Sequence, residues 1–155
     1  MHGHGFSYVL LSGLAIALLV AAGTDLRRRQ IDNGLNAAIA LGAPLFWWAS
    51  GLGWPGIALQ LAVAVGSFAL LCGLFALRAM GGGDVKLLSA LAPWIRPAWF
   101  AHLVAIMALL GGVLTVAIAA WHVTRRRQGP VTVPYGVAIA AAGLWILTSD
   151  YLPPA

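Results

Sequence analysis

Long apolar stretches separated by short polar segments make up most of the chain. Crossing a bilayer as a helix takes about 20 apolar residues, with a range of roughly 17 to 25, and five stretches reach that length. They are Phe6–Ala22, Gly34–Leu52, Ile57–Leu77, Trp99–Val123 and Val131–Leu147. A sixth stretch, Val85–Ile95, is apolar but short, so it crosses only if flanking residues or local thinning of the bilayer help it. The pattern predicts an all-α membrane protein.

Basic residues between these stretches decide between five and six crossings. With six crossings and the N-terminus outside, eight of the nine Lys and Arg residues fall in inner loops and only Arg96 lies outside. With five crossings, Arg125–Arg127 moves outside and the split falls to six against three. Positive charge concentrates in cytoplasmic loops. The sequence therefore predicts a six-transmembrane-helix bundle with a short fourth helix and the N-terminus outside. Interfacial tryptophans then fall at outer turns: Trp54, Trp94 and Trp99.

The composition supports this interpretation and argues against a nucleic-acid partner. Hydrophobic residues make up 61% of the 155 residues and charged residues 8%, whereas a soluble domain carries roughly a quarter charged residues. The net charge of +5 comes from basic residues in short loops, not from a basic groove. We expect one membrane-embedded domain over residues 1–155, with the lipid bilayer as its surroundings and no separate soluble domain.

Charge order and cysteine usage narrow the possibilities further. No Lys or Arg precedes the first apolar stretch, whereas Arg27–Arg29 follow it. A cleaved signal peptide has the opposite order, so we expect a retained helix. The chain has one cysteine, Cys72, which leaves no intrachain disulfide and no Cys-based zinc site. We expect neither a metal nor a cofactor.

The acidic residues are few, and two of them lie at the ends of apolar stretches. The chain has four Asp and no Glu. Asp25 follows the first apolar stretch, and Asp84 follows Gly81-Gly82-Gly83 at the start of the short fourth one. Ionisable groups in membrane segments are costly and usually functional. With six crossings, Asp25 and Asp84 lie at the same depth near the cytoplasmic surface, so the two can be neighbours.

Two neighbouring carboxylates have a specific chemical capability. They do not both ionise easily, so the pair shares one proton. The basic member can then activate a water while the acidic member protonates the departing amine, which is how aspartic proteases hydrolyse an amide. Glycines beside one of the two leave room for an extended substrate backbone.

Three segments resemble the signature segments of one family. Asp25-Leu26-Arg27-Arg28-Arg29-Gln30-Ile31-Asp32-Asn33 and Gly81-Gly82-Gly83-Asp84-Val85-Lys86-Leu87 resemble the two motifs of type IV prepilin peptidases, which are GxGD-type intramembrane aspartyl proteases. Val133-Pro134-Tyr135-Gly136 resembles the family's Pro-aromatic-Gly stretch. Together with the six stretches, the resemblance covers essentially the whole chain.

The resemblance implies an activity and assigns residues to it. Asp25 and Asp84 take the positions of the catalytic pair, and Gly81 and Gly83 take the glycine positions. It implies cleavage of the short basic leader of a prepilin, typically after a Gly and before the apolar helix of the pilin, at the cytoplasmic face of the bacterial inner membrane. The chain has no N-terminal segment with Cys pairs, so it resembles the short, peptidase-only branch associated with Flp/Tad pili, and we expect no methyltransferase activity.

Several other residues are candidates for supporting this site. Asp32 stands where the family usually has Pro, and either caps the second helix or helps to recognise the leader. Lys86 either contacts substrate or anchors an inner loop. Arg27 and its neighbours either bind anionic lipids or contact substrate. Asn33 and Pro134 belong to the resembling segments and complete the candidates.

Other functions remain open at this point. A zinc protease of the His-Glu-x-x-His type is excluded because the chain has no Glu. A small proton- or cation-coupled carrier could use the same Asp pair, although the internal repeats common in carriers are not evident. A pilus assembly subunit without catalytic activity is the third possibility.

Overall fold

The computed structural model describes residues 3–125 and 133–151, and these residues form helices and no strand. The six α-helices are α1 (Gly3–Arg28), α2 (Asn33–Ala49), α3 (Trp54–Ala76), α4 (Gly82–Leu91), α5 (Pro97–Thr124) and α6 (Tyr135–Tyr151). A 3₁₀ turn, Ala92–Trp94, continues α4. The all-α prediction is confirmed, and the fourth helix is the short one, with 10 residues.

The lengths of the helices support a membrane protein. Three are long and apolar enough to cross a bilayer: Gly5–Arg28, Trp54–Ala76 and Pro97–Thr124. Helices α2 and α6 have 17 residues each, which corresponds to about 25 Å at about 1.5 Å per residue. These helices support a helical membrane protein. The number of crossings, six, and the position of the N-terminus outside stay predictions.

Two helices end in left-handed turns that fold the chain back on itself. Helix α1 continues past the predicted end at Ala22 as far as Arg28, so Asp25 is part of the helix. Arg29 then has a φ of 54°, and its amide donates to the carbonyl oxygen of Asp25 at 3.0 Å. Arg78 ends α3 similarly, with a φ of 58°. Such turns satisfy the last carbonyls of a helix and redirect the chain.

Helix α6 lies at the centre of the bundle. It packs against α1, α4 and α5, while α4 also contacts α2 and α3. The core contains fully buried aliphatic side chains from several helices, including Leu18, Leu91 and Ile139. Gly143 of α6 permits a close approach of α1 and α4, since a Cβ there would come within 2.9 Å of Leu18 and 3.0 Å of Leu91. The centre of the molecule is therefore tightly packed.

Hydrogen bonds to α2 and α3 fix the chain at the C-terminal end of α4. The Trp94 indole donates to the Ile39 carbonyl at 2.8 Å, and the Trp47 indole donates to the Pro93 carbonyl at 2.9 Å. Gln60 donates to the carbonyls of Pro93 and Ile95, each at 3.0 Å. Trp94 is therefore 2% exposed rather than interfacial, because its N–H finds a partner inside the bundle. These bonds fix α4, which carries Asp84 at its other end.

Candidate active site

Asp25 and Asp84 line the same cavity. It has a volume of about 340 Å³ and lies where the end of α1 meets the starts of α4 and α6. The residues around it are Asp25, Arg29, Ile31, Gly81, Gly82, Gly83, Asp84, Val133 and Tyr135. The two carboxylates predicted from the sequence to be neighbours thus face one space, although 59 positions separate them in the chain.

Asp25 is held by the first turn of α6. Its side chain is buried, and the backbone N–H of Gly136 donates to Oδ2 at 2.9 Å. A Cβ at position 136 would come within 2.7 Å of that oxygen and 2.9 Å of Cγ. Only glycine lets the helix approach so closely. Free amides at a helix N-terminus stabilise negative charge, so this hydrogen bond offsets part of the cost of burying the carboxylate.

Asp84 lies in the first turn of α4, outside the three long apolar helices. Its carboxylate accepts a hydrogen bond from the backbone of Gly81. Burial, followed by the negative charge of Asp25, raises the pKa of Asp84 to about 6. The pair therefore consists of one carboxylate held by a helix N-terminus and one carboxyl group that keeps its proton more readily.

The three glycines before Asp84 have different surroundings. A Cβ at Gly81 would lie 3.0 Å from Oδ2 of Asp84, and a Cβ at Gly82 would lie 3.3 Å from the Phe75 ring. At Gly83 the nearest atom would be Cδ1 of Ile31, at an ordinary 3.9 Å. Gly81 and Gly82 therefore permit close packing within the protein. Gly83 faces free space at the edge of the cavity.

The other sequence candidates divide into two groups. Lys86 Nζ donates to Oδ1 of Asn33 at 2.9 Å, which joins the start of α4 to the start of α2. Asp32 caps α2 by accepting the Gly34 amide at 2.7 Å, as the capping interpretation predicts. Pro134 is buried directly before α6. Arg27, in contrast, is exposed on α1 and is not among the residues around the cavity.

Two residues at the start of α6 were not singled out as site residues from the sequence. They are Tyr135, which borders the cavity, and Gly136, which holds Asp25. The Tyr135 ring packs on α5 at Gly111, where a Cβ would come within 2.5 Å of it, and its hydroxyl lies 3.1 Å from Thr115 Oγ1. The resemblance of Val133–Gly136 to a family motif was the available signal, but the motif alone does not reveal a contact with Asp25.

The arrangement is suited to acid–base chemistry on a bound chain. It combines two carboxyl groups, a wall of glycine backbone and a cavity of about 340 Å³, which has room for water beside the carboxyl groups. Over residues 3–125 and 133–151, no group of three or more His, Cys, Asp or Glu side chains is placed to hold a metal ion.

Comparison with known proteins gives one match. The model of a family described as the type IV leader peptidase family matches residues 12–116, which include both Asp25 and Asp84. No curated protein and no solved structure is significantly similar to the chain.

Proposed function

Since the chain belongs to the type IV leader peptidase family, we propose that it is an aspartic endopeptidase that removes the leader of a prepilin, with Asp25 and Asp84 as its catalytic pair. The observation that carries this proposal is that both carboxyl groups line one cavity. Glycine backbone borders the same cavity, which leaves room for a substrate main chain.

In the proposed reaction the two carboxyl groups exchange roles as the peptide bond is broken. Ionised Asp25 takes a proton from a water whose oxygen attacks the scissile carbonyl carbon, while Asp84 gives its proton to the carbonyl oxygen. Asp25 then gives the captured proton to the amide nitrogen, the C–N bond breaks, and Asp84 regains a proton from a hydroxyl of the intermediate. One water is consumed, and the pair ends as it began.

The location of the reaction follows from the six-crossing topology. With the N-terminus outside, the ends of α1 and α3 and the starts of α4 and α6 lie at the cytoplasmic face of the inner membrane, so the leader is cut there. Loop arginines on that face bind anionic lipids. A Flp-type prepilin is the proposed substrate, and hydrolysis of its leader peptide bond is the proposed activity.

The test is processing of a candidate Flp-type prepilin in cells that also express this protein. Asp25→Asn and Asp84→Asn should each abolish the gel shift that reports leader removal while leaving the amount of protein unchanged. The matched control is Asp150→Asn, because Asp150 pairs with Arg96 at the opposite end of the bundle. That variant should still process the substrate.

The same variants separate this proposal from its rivals. If Asp25→Asn and Asp84→Asn both continue to cleave the prepilin, the catalytic pair is wrong. If wild-type protein cleaves nothing but carries an ion flux in liposomes that the two variants lose, the carrier hypothesis is the better one. If the Asp25→Asn and Asp84→Asn variants support pilus assembly as well as wild-type protein does, the protein is a non-catalytic assembly subunit.

A further inference from the structure

The cavity that holds the two carboxyl groups lies between two other clefts of opposite character. On one side is a cleft of about 700 Å³, here called the apolar cleft, with walls of Phe75, Ala76, Arg78, Ala79, Met80, Gly81, Asp84 and Tyr135. On the other side is a cleft of about 490 Å³, here called the polar cleft, with walls of Thr24, Arg28, Arg29, Gln30, Ile31, Asp32, Asn33, Gly83 and Lys86.

The two clefts are continuous with the catalytic cavity through shared walls. Gly81, Asp84 and Tyr135 border both the apolar cleft and the cavity. Arg29, Ile31 and Gly83 border both the polar cleft and the cavity. An extended chain lying across the carboxyl pair therefore meets apolar walls on one side of the pair and polar walls on the other.

We infer that the substrate lies across the pair in one direction, with the polar residues before the scissile bond in the polar cleft and the apolar residues after it in the apolar cleft. This inference rests on the proposed function. It assigns a place to each side of the bond: the end of α1 and the start of α2 receive the leader, and the end of α3 and Tyr135 receive the mature chain.

Exposed apolar side chains near the apolar cleft support its assignment to the mature chain. Phe75 is 54% exposed and its neighbour Leu77 is 78% exposed, at the end of a helix long and apolar enough to cross the membrane. The apolar cleft thus opens beside the exposed apolar surface at the C-terminal end of α3. An apolar segment leaving the membrane can reach the apolar cleft without passing through water.

The charges of the polar cleft sharpen the assignment of the leader side. Three of the residues that line it are cationic: Arg28, Arg29 and Lys86. Its one carboxylate belongs to Asp32. Like charges brought together cost free energy. The polar cleft therefore takes the uncharged polar residues next to the scissile bond, and the basic residues of the leader extend beyond it into water.

Gly83 stands at the junction of the polar cleft and the cavity. A Cβ there would make only an ordinary contact inside the protein, at 3.9 Å from Ile31. The missing side chain is therefore not needed for packing, and the space it leaves is available to the substrate backbone just before the bond that is cut.

Site-specific photo-crosslinking tests the direction. The probe is p-benzoylphenylalanine, introduced at Phe75 in the apolar cleft or at exposed Gln30 in the polar cleft, in wild-type protein and in the Asp84→Asn variant. Substrate is the prepilin of the preceding experiment, and adducts are located by mass spectrometry. The control position is Trp48, which is 77% exposed at the far end of α2.

Each outcome has a defined meaning. We expect adducts from Phe75 on residues after the scissile bond, adducts from Gln30 on the leader, and none from Trp48. The reverse pattern, or no adduct from either cleft while wild-type protein cleaves the prepilin, overturns the inference and leaves the proposed function standing. If wild-type protein does not cleave the prepilin at all, the proposed function fails.

A kinetic measurement provides a second, independent test. Phe75→Ser should raise KM for the prepilin about fivefold or more with little change in kcat, because it removes binding surface and leaves the carboxyl pair intact. Leu77→Ser, a neighbouring exposed position that is not part of the cleft wall, should change neither constant. Equal effects of the two variants would contradict the assignment of the apolar cleft.

Discussion

At the scale of single residues, the contact between Gly136 and Asp25 does most to define the site. It gives the carboxylate a fixed position and a backbone donor at 2.9 Å. The sequence places Asp25 at the end of an apolar stretch, but its partner is 111 positions away. Such a contact depends on how helices pack, so neither spacing nor hydropathy can predict it.

Gly136→Ala tests this contact. The added methyl group needs space that Oδ2 of Asp25 occupies, so the carboxylate must move. A misplacement of about 1 Å in a catalytic group costs about 100-fold in rate, and we expect a loss of kcat on that scale. Gly112→Ala is the control, because nothing lies within 4 Å of a Cβ there. Equal kcat values for the two variants would show that the contact does not matter.

The proton held by the pair gives a second prediction at this scale. The pKa of Asp84 is raised to about 6, so its proton is present below that pH and is lost above it. Because the proposed reaction needs the protonated form, kcat/KM should fall as pH rises through about 6 and be about tenfold lower or more by pH 8. The measurement is a pH–rate profile in vesicles with equal pH on both sides. A rate that is constant from pH 5 to 8 would contradict the role of Asp84 as the acid.

At the scale of helices, the main result is how a helix of only 10 residues is held in place. Its C-terminal end is fixed by Trp47, Gln60 and Trp94, and its N-terminal end by the Lys86–Asn33 hydrogen bond. The sequence predicts that this helix is short, since its apolar stretch is short. The sequence does not predict these hydrogen bonds, because each of them joins residues that are far apart in the chain.

A double-mutant cycle on Lys86 and Asn33 tests the hydrogen bond at the N-terminal end of α4. Lys86→Met and Asn33→Ala should each lower the free energy of unfolding by about 1 kcal/mol, the usual net contribution of one hydrogen bond. The double variant should lose no more than one single variant, since both remove the same bond. The readout is the unfolding free energy in detergent, together with kcat. Fully additive losses would show that the 2.9 Å contact does not couple the two helices.

At the scale of the whole molecule, hydropathy and charge predict the class of protein well. Within residues 3–125 and 133–151, six α-helices occur near the predicted stretches, because backbone polar groups in lipid must form their hydrogen bonds within the segment, as a helix does. The boundaries differ more. Helix α1 continues through Asp25 to Arg28, since Leu26 and the arginines are good helix formers and a left-handed turn at Arg29 ends the helix. The last predicted stretch begins at Val131, which lies outside the described residues.

Cysteine labelling tests the six-crossing topology. In a variant with Cys72 replaced by Ser, single cysteines at Gln30 and Arg78 should react with a membrane-impermeant reagent only after the inner membrane is opened. Cysteines at Leu52 and Pro97 should react in intact spheroplasts. All four positions lie next to helix ends. A cysteine at Arg78 that reacts on the same side as one at Leu52 would rule out this topology.

We propose that Asp25 and Asp84 together hydrolyse one peptide bond of a prepilin. Mass spectrometry of a purified prepilin after incubation with the purified protein in vesicles tests this most directly. We expect two products whose masses sum to that of the substrate plus one water. We also expect rates lower by a factor on the order of 10³ or more for Asp25→Asn and Asp84→Asn, with Asp150→Asn active. An intact prepilin after incubation with wild-type protein, or products formed equally fast by the Asp25 and Asp84 variants, would contradict it.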